Sequence, residues 1–433
     1  GESQTVEFSA RGVERFSVAS KPSGWGDDNA VLDATNRTLT VIVPASAGDG
    51  TVASSGTITI NGYTSGNKLK SASLFVGVAG ERTLSGPANC FIASEKNTHY
   101  SFVPVRADGS EVPPTSVGVI WQSSSRLIQN LCWKEGRISF YVGSDATYTD
   151  EIMRGNAVIG AYDASDALLW SWHVWTVAYA PEEDAVAWNG YELMSRNLGA
   201  LDNSTETAAE RLASYGLFYQ WGRKDPFIGS SAYRANNGMS AAIYDGDNKS
   251  TAIQFVESSA KTGTEEYARL NPLNFITGVK ENDYDWLWQA ASEDWNKKND
   301  PCPHGWRVAP AAVFAGVHPV GTPTIEDEDV FGWPLTDGTT NALFMAAGRR
   351  IYLNGRIQNI YQPATTPESV AVRANPAEEA QPWVGLYWTA DVKPNRESTA
   401  FYFWFDKKNT TVGTEPSATY ARANGMSVRC VRE

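Results

Sequence analysis

Two cysteine motifs near the end of the chain set the strongest limit on what it can fold into. Cys302 lies in the run Asp300–Val308, Cys430 lies in the run Ser427–Val431, and no other cysteine separates them. Both runs contain a short strand-like segment. A disulfide between two strands holds them side by side and closes the long chain between them into one loop-rich unit. The pattern therefore predicts a Cys302–Cys430 disulfide that staples a module built to display loops.

The other two cysteines, Cys90 and Cys132, lie together in an earlier region of the chain. An even number of cysteines in each region favours local disulfides over a metal site, because zinc ligands are usually spaced more closely, as in C-x-x-C. A second disulfide, Cys90–Cys132, is therefore predicted. The alternative for each pair is two buried free thiols, which are common in protein cores.

Length and charge limit the classes of protein to which the chain can belong. A chain of 433 residues is long for one core, and 42% hydrophobic with 20% charged residues is ordinary for globular domains. The net charge of −13 argues against nucleic acid as a partner, because phosphate binding needs clustered Lys and Arg. The sequence has no run of 18 apolar residues, which a membrane span would need, and the first residues do not have the pattern of a signal peptide. We expect an exported, extracellular or outer-membrane surface protein that is not itself inserted in the membrane.

Short alternating segments dominate the first 181 residues. Runs such as Leu39–Val43 and Ala157–Tyr162 are apolar or alternate with polar residues, and Gly, Ser, Asn and Asp separate them at short intervals. Period-2 patterning between frequent turns is typical of antiparallel sandwiches. We therefore predict two N-terminal all-β sandwiches, at residues 1–80 and 81–181.

The last strand of the second module is rich in aromatic residues. Because side chains alternate along a strand, Trp170 and Trp172 share one face, and His173 and Trp175 share the other. An aromatic binding strip is one interpretation. Two-sided aromatic strands more often place one face in a core and the other against a neighbouring domain. The acidic, proline-marked stretch Ala180–Asp184 then suits a domain boundary.

The composition changes in residues 182–433, which hold ten of the sixteen tryptophans and long Asn-, Gly- and Asp-rich stretches. Helix candidates are few. The patterns suggest helices at 205–213 and 284–291, and a third that starts near Ala309, where Pro310 suits a first turn. An α+β domain with much irregular structure is predicted.

Six segments of this region match a known pattern in order, over about 250 residues. They are Trp188–Leu198, Tyr215–Phe227, Asp300–Val308, Ala346–Arg350, Gly385–Ala390 and Ser427–Val431. Together they resemble the Fibrobacter succinogenes major paralogous domain family, found in secreted and surface proteins of Bacteroidetes-like bacteria. The sequence departs from the family at Ala309, where a proline is expected after the Trp-Arg-Val strand.

The resemblance implies a C-type-lectin-like domain at 182–433, in which the chain ends meet in neighbouring strands and the chain between them forms the presenting surface. Residues 81–181 are similar to a module that precedes this domain in surface lipoproteins and fimbrillin-family proteins. Residues 1–80 resemble the immunoglobulin-like repeats of the same proteins.

Metal and catalytic motifs are not apparent in the sequence. The Glu-Pro-Asn, Gln-Pro-Asp and Trp-Asn-Asp triplets of calcium-dependent lectins do not occur. The acidic runs Asp245–Asn248 and Glu326–Asp329 have oxygen ligands suited to a hard cation, but solvated loops explain them more simply. The four histidines show no H-E-x-x-H spacing, and no P-loop or nucleophile-elbow motif occurs. We expect no cofactor, no metal and no enzyme activity.

The abundance of aromatic residues is the remaining indication of function, because Trp and Tyr stack on apolar sugar faces or anchor protein interfaces at low entropic cost. Six tryptophans outside the core-like motifs are candidate ligand contacts: Trp286, Trp288, Trp295, Trp333, Trp383 and Trp404. The favoured hypothesis is a non-catalytic adhesion or binding protein, such as a fimbrial tip or accessory subunit, whose partner is a host or dietary glycan or a surface protein. The alternatives are a structural pilus or surface-layer subunit, which would bind other pilus subunits, and a hydrolase whose site is not visible in the sequence.

Overall fold

The computed structural model divides the chain into two compact units, Gly1–Gly80 and Glu81–Glu433. Most of its regular structure is β-strand, arranged in several sheets. Among the residues described, no helix is both long and apolar enough to cross a membrane. The structure describes residues 3–7, 12–44, 55–77, 80–145, 150–229, 233–234, 239–240, 243–278, 294–321, 331–358, 361–362, 372–373, 384–393, 397–405 and 412–433.

The first unit consists of two three-stranded sheets, ordered β1-β4-β3 and β2-β5-β6. In β4, Leu39 and Val41 are buried while Thr38 and Thr40 are not, as strand alternation requires. Leu39 packs with Trp25 and with Ile58 of the other sheet, so both sheets contribute to one core. The strands are β1 Ser3–Glu7, β2 Arg15–Ser20, β3 Ala30–Asp33, β4 Thr38–Ile42, β5 Ser55–Tyr63 and β6 Leu69–Gly77, with a 3-10 turn at Asp27–Asn29.

The second unit begins with eight strands in two sheets. The order β11-β12-β9-β7 forms one sheet, and β10-β13-β14-β8 forms most of the other. Phe102, Phe140, Ile159 and Trp172 come from both sheets and share one buried cluster. The strands are β7 Gly80–Thr83, β8 Cys90–Ala93, β9 Thr98–Phe102, β10 Ser116–Gln122, β11 Gln129–Lys134, β12 Arg137–Val142, β13 Gly155–Tyr162 and β14 Leu168–Thr176.

Strand β14 is buried on both faces, because its two faces enter different cores. Trp172 packs in the core between the two sheets. On the other face, the Trp175 indole donates to the Ala200 carbonyl oxygen at 3.0 Å, and Trp175 shares a buried cluster with Leu198 and Trp221. Residues on both sides of the predicted boundary near residue 181 therefore share a core. The predicted division of the chain at residue 181 stays a prediction.

Residues 182–433 contain short strands and few helices. A helix at Ala208–Ala213 confirms the helix predicted at 205–213, and Thr207 caps it with its side chain. The predicted helix near Ala309 is a 3-10 turn at Ala311–Phe314, and the predicted helix at 284–291 lies outside the described residues. The helices are α1 Pro181–Asp184, α2 Ala208–Ala213 and α3 Glu265–Leu270, and another 3-10 turn spans Lys297–Asn299.

The strands of this region are β15 Val186–Trp188, β16 Tyr191–Leu193, β17 Tyr219–Gln220, β18 Tyr233–Arg234, β19 Met239–Ser240, β20 Ile243–Tyr244, β21 Ser250–Thr251, β22 Gln254–Glu257, β23 Asn274–Thr277, β24 Trp306–Val308, β25 His318–Pro319, β26 Gly332–Thr336, β27 Asn341–Met345, β28 Arg349–Arg350, β29 Ile357–Gln358, β30 Tyr361–Gln362, β31 Val372–Arg373, β32 Val384–Val392, β33 Glu397–Phe405, β34 Val412–Ala421, β35 Gly425–Val428 and β36 Cys430–Arg432. Two of them, β20 and β21, extend the sheet that contains β10 and β14.

The predicted disulfide between Cys302 and Cys430 is confirmed. It lies in the sheet β15-β16-β36-β24, where the last strand of the chain pairs with both β16 and β24. The two Cα atoms are 6.1 Å apart and the bridge closes a separation of 128 residues. The buried Asp300 carboxylate accepts from the backbone nitrogens of Cys302 and Val308, which fixes the approach to β24. The disulfide thus ties β36 to the segment before β24, and the sheet around it contains strands from the start, the middle and the end of residues 182–433.

The predicted Cys90–Cys132 disulfide is wrong, because both thiols are free. Cys90 is buried in β8 of one sheet, whereas Cys132 is exposed on β11 of the opposite sheet. The Cys132 sulfur lies 3.1 Å from the Ser139 hydroxyl, and burial raises the pKa of the Cys90 thiol well above its ordinary value. Their different sheets keep the two cysteines apart.

Three buried arginines hold loops through backbone oxygens. Arg223 donates to the carbonyl oxygens of Asn271 and Asn274 at 2.8 and 2.7 Å. Arg350 donates to those of Ile228 and Gly355, and Arg429 to that of Leu343. Burial lowers the pKa of Arg350 to about 9, which leaves it charged at neutral pH. Each guanidinium therefore anchors neighbouring segments through backbone oxygens, and Arg223 and Arg429 also donate to the side-chain oxygens of Gln220 and Asn197.

Candidate functional site

An aromatic surface lies on one face of the sheet formed by β32, β33 and β34. In β33, Phe401 and Phe403 are fully buried, and they pack with Phe344 and Tyr387. The alternate residues, Tyr402 and Trp404, lie on the other face and are only half-buried. The Phe-Tyr-Phe-Trp order thus builds a core with one face of the strand and leaves two large rings at the margin of the other.

The half-buried rings contact one another. Tyr402 stacks on Trp404 with ring centroids 4.8 Å apart and an angle of 25° between the planes. Tyr402 also meets Tyr420 of β34 edge-on at 6.2 Å. The Trp404 indole lies across Gly413, its partner in β34, where a Cβ atom would overlap the ring. We refer to Tyr402, Trp404 and Tyr420 as the aromatic surface.

The two tyrosines of the aromatic surface keep their protons at neutral pH. Burial, and secondarily Tyr420, raises the pKa of Tyr402 to about 12, and burial also raises the pKa of Tyr420. The positive charge of Arg349 opposes both shifts. The Arg349 guanidinium carbon is 5.4 Å from the centre of the Tyr420 ring. The surface therefore offers neutral phenol hydroxyls beside one cation.

The structure places the six candidate tryptophans differently. Trp404 belongs to the aromatic surface. Trp333 is half-buried on the hairpin of β26 and β27, and its indole donates to the Val320 carbonyl oxygen at 3.4 Å. Trp295 is buried against Trp221, and its indole donates to the Asn299 carbonyl oxygen. The other three candidates lie outside the described residues: Trp286, Trp288 and Trp383.

Tyr402 and Tyr420 are not among the residues predicted from the sequence, because those candidates are all tryptophans. The alternation in residues 401–404 carried the signal for Tyr402, since a strand with Phe401 and Phe403 inward must turn Tyr402 and Trp404 to the other face. The position of Tyr420 depends on the register between β33 and β34, which shifts between Ala400 and Tyr402. A shift of that kind is not readable from a single sequence.

A second group of functional interest is a buried ion pair. Lys224 Nζ lies 2.7 Å from Asp225 Oδ1, contacts the Ser171 hydroxyl and sits 4.5 Å from the centre of the Trp170 ring. Burial lowers the pKa of Lys224 to about 8, although Asp225 opposes the shift. A small cavity lies beside the pair. Because both charges are neutralised by each other, this arrangement is typical of a structural ion pair.

The acidic loop at Asp245 is held by its own turn. The Asp245 carboxylate accepts from the backbone nitrogens of Asp247 and Lys249, and the Lys249 ammonium pairs with Asp247. In the described part of the chain, no three His, Cys, Asp or Glu residues are grouped as metal ligands. The other acidic run, Glu326–Asp329, lies outside that part.

Comparisons with known proteins place this chain in no family. No protein-family model matches it, and no curated protein matches it either. A search of solved structures returns SGBP-B of the mixed-linkage glucan utilization locus of Bacteroides ovatus, in complex with a mixed-linkage heptasaccharide, at 12% identity and a TM-score of 0.12. That match covers 41% of each chain. So low a score carries no argument about fold, and the resemblance to the Fibrobacter family stays a prediction.

Proposed function

We propose that residues 182–433 form a C-type-lectin-like recognition domain of an exported surface protein, and that the aromatic surface binds carbohydrate without catalysis. The observation that carries the proposal is the pair of half-buried rings, Tyr402 and Trp404, on a strand whose other face is fully buried. A rigid core behind the rings keeps them in place, so little entropy is lost when a sugar stacks on them.

Two further features support this function. Strand β36 pairs with β16, so the two ends of the region meet, as a lectin-like domain requires. The phenol hydroxyls of Tyr402 and Tyr420 stay protonated, which suits hydrogen bonds to sugar hydroxyls next to a stacking face. Structural roles in a pilus or surface layer remain an alternative prediction for the whole chain.

A glycan array followed by titration of the best oligosaccharide tests the proposal. With the full chain, Trp404→Ala should weaken binding about tenfold or more, since loss of a central stacking ring costs about 1.4 kcal/mol or more. Trp333→Ala is the matched control, because Trp333 is also half-buried but lies on the hairpin of β26 and β27. Thermal melting of both variants checks that each is folded.

Equal glycan affinity of Trp404→Ala and the native chain would show that the aromatic surface is not the binding site. A larger loss in Trp333→Ala would move the site to the β26–β27 hairpin. No binding to any glycan by the native chain would contradict carbohydrate recognition altogether.

A further inference from the structure

Arg349 is an unusual cation at the edge of the aromatic surface. It is half-buried on β28, with its guanidinium over the Tyr420 ring. Its Nε atom is buried and has no hydrogen-bond partner within the described residues. Among those residues no carboxylate pairs with Arg349, and its side chain makes no hydrogen bond to a protein group. Within the described part of the chain, this stacked and partly desolvated cation therefore has no counter-charge.

Several other cations of the second unit do pair with carboxylates. Arg154 pairs with Asp202, Lys298 with Glu265, and Arg432 with Glu192. The chain has 49 acidic and only 36 basic residues, so carboxylates are in excess. Arg349 has no carboxylate partner among the described residues and lies at the edge of the aromatic surface, so it has the donor set for an anionic ligand group.

We propose that the carbohydrate bound by the aromatic surface is an acidic one, whose uronate-type carboxylate pairs with Arg349 while its ring stacks on Trp404 or Tyr402. This inference rests on the proposed function. Tyr402 contacts both Trp404 and Tyr420, so the rings and Arg349 form one continuous row along which a sugar chain can lie. A guanidinium is suited to a carboxylate, because its planar fork donates two parallel hydrogen bonds.

Non-specific attraction cannot substitute for this contact. The net charge of −13 repels acidic polymers in general. An acidic glycan therefore gains binding free energy only where a local cation can pair with its carboxylate. The neutral tyrosines add no repulsion, because burial keeps their phenols protonated.

The test uses the full chain with pairs of oligosaccharides that differ only in whether their carboxyl groups are free or methyl-esterified. The acidic probes are oligogalacturonate, glucuronoxylan oligosaccharides and alginate oligosaccharides, and each is paired with its methyl-esterified form. Calorimetry should show at least one acidic probe binding about tenfold more tightly than its ester. Arg349→Gln should remove that preference, Arg349→Lys should keep part of it, and Trp404→Ala should weaken both members of the pair.

The outcomes separate the two proposals. If acid and ester bind equally and Trp404→Ala weakens both, the aromatic surface binds carbohydrate but the role of Arg349 is overturned. If neither acid nor ester of any pair binds, the acidic-glycan inference is overturned, and the glycan array decides the broader proposal. The native comparison needs no variant, so a folding defect in Arg349→Gln does not block the test.

Discussion

His173 is fully buried on β14 and makes a definite contribution to the response of the protein to acid. One ring nitrogen lies 2.9 Å from Asn156 Oδ1, and the other lies 3.5 Å from the Tyr219 hydroxyl. Burial lowers the pKa of His173 from 6.5 to about 3. The folded state therefore holds a neutral imidazole across a pH range in which the unfolded chain binds a proton.

The sign of the resulting pH dependence follows from that difference. Below about pH 6.5 the unfolded state binds a proton at His173, whereas the folded state binds it only near pH 3. The free energy of unfolding therefore decreases as the pH is lowered through this window. Relative to His173→Gln, the native chain should lose about 1.4 kcal/mol of unfolding free energy per pH unit. Urea unfolding of both proteins at several values from pH 7.5 to 4.5 measures this. Parallel stability curves would contradict the assignment.

Single residues were predictable from the sequence where local patterns restricted them. Cys302 and Cys430 each lie in a motif with a strand-like segment, so their pairing followed from the pattern, and it is confirmed. Cys90 and Cys132 also form an even pair, yet the sequence does not state which sheet each strand joins. The choice between sheets depends on contacts distant in sequence, and these decided that Cys90 and Cys132 stay free.

Strand β33 shows how one element serves two surfaces. A Cβ atom at Gly385, its partner in β32, would overlap the Phe403 ring in the closed core. A Cβ atom at Gly413, its partner in β34, would overlap the Trp404 ring at the half-open face. An alanine at Gly385 would therefore press on the Phe403 ring, which the core holds in place. An alanine at Gly413 would press on the Trp404 ring, which has room to move.

Gly385→Ala and Gly413→Ala should consequently differ in effect. Gly385→Ala overpacks the core, so its unfolding free energy should fall by about 1–3 kcal/mol. Gly413→Ala should leave stability nearly unchanged but tilt Trp404, and glycan binding should weaken several-fold. Denaturant melts and titrations of both variants provide the measurements. Equal destabilisation by the two would show that Trp404 is as tightly held as Phe403.

Elements were predicted best where the chain is periodic. The strand alternation around Leu39 and the capped helix after Thr207 follow from local rules, and both occur in the structure. The turn at Asn189 and Gly190 has positive φ at both residues, the geometry that an Asn-Gly hairpin favours. The register of β33 with β34 is different, because it shifts between Ala400 and Tyr402, and local sequence rules do not show where such a bulge falls.

At the scale of the molecule, one core crosses the predicted boundary near residue 181. Trp121, Val158 and Trp175 share a buried cluster with Leu198 and Trp221. A fragment of residues 182–433 should therefore expose apolar surface and melt well below a fragment of residues 81–433. Circular dichroism of the two fragments, with sedimentation to detect aggregation, measures the difference. Equal melting temperatures would show that residues 182–433 need no support from the preceding strands.

The buried arginines allow the loops to change their sequences. Arg223, Arg350 and Arg429 hold neighbouring segments through backbone carbonyl oxygens, a group that every amino acid carries. At exposed positions of those segments, side chains can be exchanged while the hydrogen bonds to the backbone persist. Natural variation can then alter the surface that meets a ligand without redesigning the scaffold, and the same freedom is open to directed evolution of new specificities.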